Sequence, residues 1–432
     1  MSESVKAQIN SQVKAVVLAA GKGTRMKSEK PKVLHEIFNK PLVSWVLSAC
    51  EESGALENIV IVGHKGEMVE EFISKNHSKS ICIEQKEQLG TGHAVSMAKN
   101  ALKDFKGLVL ILNGDIPLIT SESLKKLVEF HNENNADITA ITAVLDNPFG
   151  YGRIVRDEND HIKEIVEQKD CNETQKEIKE INVGMYCLNW QRVKGFFDNL
   201  KNDNSQHEYY LTDIIKWANE NSYKTYGYIL EDSNEAFGIN SRVQLAEAFK
   251  IMNDRHLNKL MDDGVTIVSP ENTQISPETE IGEDTVVFPN TFINGKNKIG
   301  KNCKIGPFAH LRGDCTIEDF VKIGNFVELK KSYVKSHTNI CHLSYVGDAE
   351  VGSNVNIGAG TITANYNSIT KEKKKTVIND GASIGSNTVL VAPVELGKKA
   401  FIGAGSVITK DVGANALGLT RNPQKEIKNY VK

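Results

Sequence analysis

No sign of charge dominates this 432-residue sequence: 52 Lys and Arg stand against 55 Asp and Glu, a formal net charge of −3. A near-neutral chain offers no global field for nucleic acid or an anionic membrane, so its partners must be held at local sites. Cysteine is sparse and scattered: the seven residues, at 50, 82, 171, 187, 303, 315 and 341, form no C-x-x-C. That odd set argues against a disulfide framework or a zinc knuckle and suits reduced thiols. No window approaches the roughly 18 uninterrupted apolar residues of a membrane helix. The opening MSESVKAQINSQVKAVVLAAG lacks the basic region and long apolar stretch of a secretory signal, so a cytoplasmic location without membrane insertion is expected. With 40% hydrophobic and 25% charged residues the chain reads as globular and not disordered. At about 150 residues per domain, its length suggests two or three domains.

Residues 13–240 alternate short aliphatic runs with amphipathic stretches. VKAVVLAAG, NIVIVGH, KSICIEQ and GLVLILNGD have the length of buried strands. SWVLSACEESG, EMVEEFISKNH and GHAVSMAKNALK between them carry helical spacing. The pattern predicts βα units on a mostly parallel sheet, a Rossmann-like α/β domain whose ligands sit beyond the strand ends at Gly21, His64, Gln85 and Asp115. Residues 241–264 read as one long linker helix ended by Asp263-Gly264.

From residue 265 to 432 the period changes. Every sixth residue from Ile275 to Cys341 gives ten aliphatic side chains out of twelve, often followed by Gly as in IGEDTV, IGKNCK and IGNFVE. Six residues make one short strand and one turn, and three such units close a triangular coil whose aliphatic side chains face the axis. Stacking then builds a continuous core, which predicts a parallel β-helix. Lys335 stands off the pattern and marks either a site or a frayed face. The repeat breaks at 363–377, a loop made basic by Lys371, Lys373, Lys374 and Lys375. This loop is a candidate phosphate clamp or, equally, a solvated run of charge.

LAAGKGTRMKSEKPKVLH follows the first strand. Gly21 and Gly23 let backbone N–H groups approach an anion, and Lys22, Arg25 and Lys32 can neutralise phosphate. The spacing fits neither G-x-x-x-x-G-K-[ST], since Leu18 stands where Gly is required, nor G-x-G-x-x-G, since position 26 is Met. Asp115 ends its strand where a carboxylate can serve a triphosphate as a hard oxygen ligand for Mg²⁺, although Asp is also a common turn residue. On the repeat, GPFAHLRGD, GNFVELKKS and CHLSYVGDAEVGSNVNIGAG gather polar groups, and His342 is the acid/base candidate by side-chain type.

LAAGKGTRM with PKVLH, EQLGTGHA and GDIPL resembles the sugar-nucleotide pyrophosphorylases, and the six-residue repeat resembles the hexapeptide acyltransferases. Their union over about residues 13–425 is similar to the bacterial bifunctional N-acetylglucosamine-1-phosphate uridylyltransferase/glucosamine-1-phosphate N-acetyltransferase family. The resemblance implies a nucleotidyltransferase domain (1–240), the linker helix (241–264) and a left-handed β-helix acetyltransferase domain with a C-terminal tail (265–432). It implies that Leu18, Ala20, Gly21 and Gly23 border the uridine nucleotide, with Arg25 and Lys32 acting on its phosphates. Gln85, Gly90 and Thr91 would recognise uracil, and Asp115 and Asn240 would bind Mg²⁺. Gly152, Glu167 and Asn182 would hold the N-acetylglucosamine moiety; read from residue type alone, all three are ordinary turn or surface residues. In the second half His342 would be the base and Glu328 would orient it. Arg312, Lys330, Tyr345 and Asn356 would bind the amino sugar phosphate. Asn365, Tyr366, Lys373, Ser386, Ala404 and Arg421 would meet acetyl-CoA, some across subunits of a homotrimer. Two departures stand out: Asn113 replaces an aromatic before Gly-Asp, and NYNS precedes a Lys-rich insertion where the family has an NYDG-like run. A single-function sugar-1-phosphate nucleotidylyltransferase, with the β-helix serving assembly alone, and a non-enzymatic scaffold remain alternatives.

Overall fold

The structure, a computed structural model, describes residues 12–202, 207–420, 422–428 and 430. Its internal contacts divide it into two compact units, 1–249 and 250–432, and the division falls inside the helix Arg242–Asp262.

The first unit is built on a nine-stranded sheet. Strand Val13–Ala19 lies in its interior, parallel to Asn58–Val62 on one side and Leu108–Asn113 on the other, with Ser80–Glu84 beyond Asn58–Val62. Glu180–Asn189 runs antiparallel beside Leu108–Asn113. NIVIV is buried at every position, as expected of a parallel strand covered on both faces. Alternate residues feed two cores. Ala15, Val17 and Leu110 pack with Val46 and Leu47 of helix Leu42–Ser53, and Val16, Ile59 and Ile111 pack with Val95, Trp190 and Phe197. Because the chain moves outward from Val13–Ala19 to Asn58–Val62 and Ser80–Glu84 and then crosses back to Leu108–Asn113 on the other side, the C-terminal end of Val13–Ala19 is the crevice where an open α/β sheet receives ligands.

The second unit is a parallel β-helix of three all-parallel sheets. Each strand pairs with the strand one coil later, as in Val287↔Ile305↔Ile323. These inward side chains are fully buried and form one continuous column. The six-residue phase is corrected at Lys335. After Leu329 the chain takes a five-residue step, so Val334 is the buried residue and Lys335 is exposed. The same shift brings Ile340, and not Cys341, to the axis. The core is therefore not frayed at Lys335, since an aliphatic residue one place earlier fills it. A second five-residue step, from Val346 to Val351, follows, so two successive coils advance by 17 residues, as in Glu328↔Tyr345 and Tyr345↔Ile362, instead of 18. The basic loop leaves after strand Ile362–Ala364 and is closed by a bridge between Tyr366 and Lys373, after which Thr376 pairs back onto Ala349. All seven cysteines are free thiols.

Candidate functional site

The nucleotide loop is shaped by close approach. Gly23 has φ 58°, and a Cβ there would lie 2.7 Å from Lys32 Cβ, so only glycine lets the loop fold onto Lys32. Lys32 Nζ pairs with Asp115 Oδ2 and donates to Asn240 Oδ1 at 3.0 Å. Three residues far apart in the chain thus converge on one cationic point. Leu18, Ala20, Gly21, Lys32, Gln85, Gly90, Thr91 and Asp115 line a common cavity of about 300 Å³. Arg25 lies exposed on the turn Thr24–Met26 and is not part of that wall.

Gln85 is almost fully buried. Its Nε2 donates to Gly90 O at 3.2 Å and meets His93 Nδ1 at 3.0 Å. Gly90 (φ 113°) is forced by its neighbour, since a Cβ would lie 2.6 Å from Tyr209 O. Thr91 Oγ1 accepts from Leu211 N at 3.1 Å, and Tyr209 N donates to Leu89 O at 2.8 Å. Segment 207–212 is therefore strapped across the loop that carries Gln85.

A second cavity, about 550 Å³, adjoins the first: Thr91, Asn113 and Glu208 line both. Glu167 and Asn182 stand in its wall. A Cβ on Gly152 would lie 3.5 Å from Glu167 Oε1 and 3.7 Å from Asn182 Cβ, so these three predicted residues meet. Asn182 Oδ1 accepts from Gly184 N (3.1 Å) and Tyr186 Oη (3.3 Å). Burial, with Asp170 and Asp213 adding to it, raises the Glu167 carboxyl above its ordinary range. Asn113 Nδ2 donates to Gly184 O at 3.2 Å, tying the strand that leads to Asp115 to the bulge that follows Asn182. Sequence reasoning missed His93, on the helix Thr91–Met97, and Glu208 and Tyr210, on a loop; the neighbours of all three are set by folding.

On the β-helix, stacking brings Glu328 onto Tyr345 in adjacent coils. Arg312 Nη1 donates to Glu328 Oε1 at 2.8 Å. Lys373 and then Arg312 hold the Lys330 ammonium below its usual pKa, the mark of crowded positive charge. Asn365 Nδ2 donates to Tyr345 Oη (3.4 Å) and to Asp348. Arg312, Lys330 and Lys373 thus form one cationic group. Of the other loop lysines, Lys374 pairs with Glu372 and Lys375 with Glu350. His342 Nδ1 is bonded to Asn325 Oδ1 at 2.9 Å, a partner that sequence reasoning did not single out. Asn356 and Tyr366 are exposed. Ser386 and Ala404 are exposed at one corner of successive coils, where Gly405 N donates to Ser386 O at 2.8 Å. Arg421 lies outside the described residues.

Residues 14–249 match the nucleotidyl transferase family model, and 298–331 with 375–410 match the bacterial transferase hexapeptide model of six repeats. The chain is 45% identical to the bifunctional protein GlmU of Caldanaerobacter subterraneus subsp. tengcongensis, with 97% of each chain covered. It is 44% identical to the bifunctional protein GlmU of Heliobacterium modesticaldum (96% of this chain, 97% of the other). Against that of Clostridium novyi it is 42% identical (96% and 98%). With both family models matched in one chain and relatives aligned over nearly its whole length, the chain belongs to the family of bifunctional GlmU proteins.

Proposed function

We propose that this enzyme acetylates glucosamine 1-phosphate with acetyl-CoA and then transfers UMP from UTP to N-acetylglucosamine 1-phosphate, giving UDP-N-acetylglucosamine and pyrophosphate. One observation carries the reading: a single chain holds both a double cavity at which Lys32 meets Asp115 and Asn240 and a β-helix on which Glu328 stacks on Tyr345 and Arg312, Lys330 and Lys373 gather positive charge.

In uridylyl transfer a phosphate oxygen of the sugar phosphate attacks the α-phosphorus of UTP, and the bond to pyrophosphate breaks. The attacking oxygen is already anionic, so alignment and charge neutralisation are the tasks left to the protein. Gln85 has its Nε2 engaged within the loop and can offer Oε1 to the uracil N3–H. Lys32 faces the phosphates, and Arg25 reaches them from the exposed turn. Asp115 and Asn240 suit Mg²⁺: both present hard oxygens, both already hold an ammonium, and two protein ligands leave room for phosphate and water. When bound there, the ion supplies charge neutralisation to the triphosphate. The adjoining cavity receives the sugar on Gly152, Glu167 and Asn182.

In acetyl transfer the glucosamine nitrogen attacks the thioester carbonyl and a C–N bond forms. His342 takes the amine proton, the C–S bond breaks, and the proton is returned to the leaving thiolate. Arg312, Lys330 and Lys373 receive the sugar phosphate, with Tyr345, Asn356 and Asn365 near the amine. Tyr366, Ser386, Ala404 and Arg421 complete the CoA side. Homotrimeric association is supported by a column of exposed apolar side chains, Phe308, Phe326 and Leu343, at one corner of successive coils. We place this enzyme of small substrates in the cytoplasm, without a nucleic-acid partner; no described helix is long and apolar enough to cross a membrane. The partition into a uridylyltransferase domain (1–240), a linker helix (241–264) and an acetyltransferase domain (265–432) follows from this division of labour.

The test is a reaction with glucosamine 1-phosphate, acetyl-CoA, UTP and Mg²⁺, following CoA, pyrophosphate and the UDP-sugar. All three are expected; folded, assembled protein that forms no UDP-N-acetylglucosamine rules the bifunctional reading out.

A further inference from the structure

Asn325 and His342 are register partners on adjacent coils of one sheet. Each is followed by a bulky residue in the left-handed region, Phe326 (φ 56°) and Leu343 (φ 49°). The chain therefore turns away immediately after both, and the two polar side chains are held side by side at the end of their strands. His342 Nδ1–H donates to Asn325 Oδ1 at 2.9 Å. An amide oxygen only accepts, so this bond keeps the ring proton on Nδ1 and leaves the lone pair on Nε2. The Asn325 amide has no other side-chain bond among the described residues, so it does not pin the coil. Glu328, three residues further on, is engaged by Arg312.

We infer that Asn325 is a positioning residue for acetyl transfer, selecting the His342 tautomer whose Nε2 accepts the proton of the substrate amine. The inference rests on His342 being the base. A neutral amide performs this task differently from a carboxylate. It fixes the ring without placing a charge beside it, so the imidazolium formed during the reaction is not held by an ion pair and gives its proton back to the thiolate.

The test compares full-length wild type, Asn325→Ala, Asn325→Asp and His342→Ala for CoA release with glucosamine 1-phosphate across pH. UTP-dependent pyrophosphate formation serves as the internal control of the first unit, and far-UV circular dichroism reports the folding of the β-helix that carries Asn325. Asn325→Ala is expected to lower the acetyl-transfer kcat by roughly ten- to a hundredfold, with KM for glucosamine 1-phosphate within about twofold and pyrophosphate formation unchanged. Asn325→Asp retains an acceptor and is expected to recover most of that kcat, with the acidic limb of the pH profile moved to higher pH because the added carboxylate stabilises imidazolium. Wild-type kcat in Asn325→Ala, a change confined to KM, or no recovery and no displaced limb in Asn325→Asp would each overturn the inference. Near-normal acetylation by His342→Ala would instead overturn the reading on which it rests. Should Asn325→Ala fail to fold, the near-isosteric Asp variant decides alone, through the position of its acidic limb.

Discussion

His131 is buried, with Nε2 unpartnered among the described residues and Nδ1 bonded to Thr139 Oγ1 at 2.9 Å. Burial lowers its pKa to about 4. As pH falls below the ordinary 6.5, the unfolded chain takes up this proton first. The stability linked to the neutral ring is therefore complete above 6.5 and is lost progressively down to about 4, on the order of 3 kcal/mol in all. The three tryptophans, Trp45, Trp190 and Trp217, all lie in the first unit, so their fluorescence isolates its unfolding. Urea midpoints read this way are expected to fall between pH 6.5 and 4 in wild type and to fall much less in His131→Gln. Gly23 carries a different constraint. Gly23→Ala adds a Cβ where φ is 58° and Lys32 Cβ is 2.7 Å away. Displacing Lys32 is expected to slow pyrophosphate formation by roughly tenfold or more while CoA release is unchanged; equal loss of both would indicate misfolding.

Among the elements, the two 17-residue coils show how local pattern and packing divide the work. Val334 and Lys335 compete for the axis, and burial decides, since an ammonium inside the column would find no partner. Val334→Ala is expected to cost about 2 kcal/mol and Lys335→Ala no more than about 0.5 kcal/mol, measured by far-UV circular dichroism in denaturant. The reverse order would restore the uninterrupted six-residue phase. The hexapeptide family match pauses at 332–374, the stretch containing the shortened second coil, the basic loop and His342. Regular coils build the prism, and the departures from regularity place its polar groups. Within the loop, charge alone did not distinguish the lysines. Lys374 and Lys375 are neutralised by Glu372 and Glu350, whereas Lys373 is set against Lys330. Lys373→Met is accordingly expected to raise KM for glucosamine 1-phosphate by roughly tenfold and KM for acetyl-CoA by less; the opposite ranking would return Lys373 to the CoA side.

For the whole molecule, the two units hold separate hydrophobic cores. Asp115→Ala is expected to abolish UTP-dependent pyrophosphate formation and spare CoA release, with His342→Ala doing the reverse. Equal loss of both in well-folded variants would contradict the partition. The βα alternation of the first unit and the six-residue coil of the second were legible in the amino-acid order alone. Both arise from the spacing of apolar side chains, a local property that survives without knowledge of neighbours. The glycine loop and the strand-end Asp115 were equally legible, because strand ends in a parallel sheet are where ligands collect. Which polar groups meet was settled by folding. Lys32 reaches Asn240 across 208 positions and Asn325 reaches His342 across 17. Such a bond depends on register, and one residue of slip turns a strand's side chains to the other face. Register is chosen by the whole column of buried residues, with no single motif fixing it.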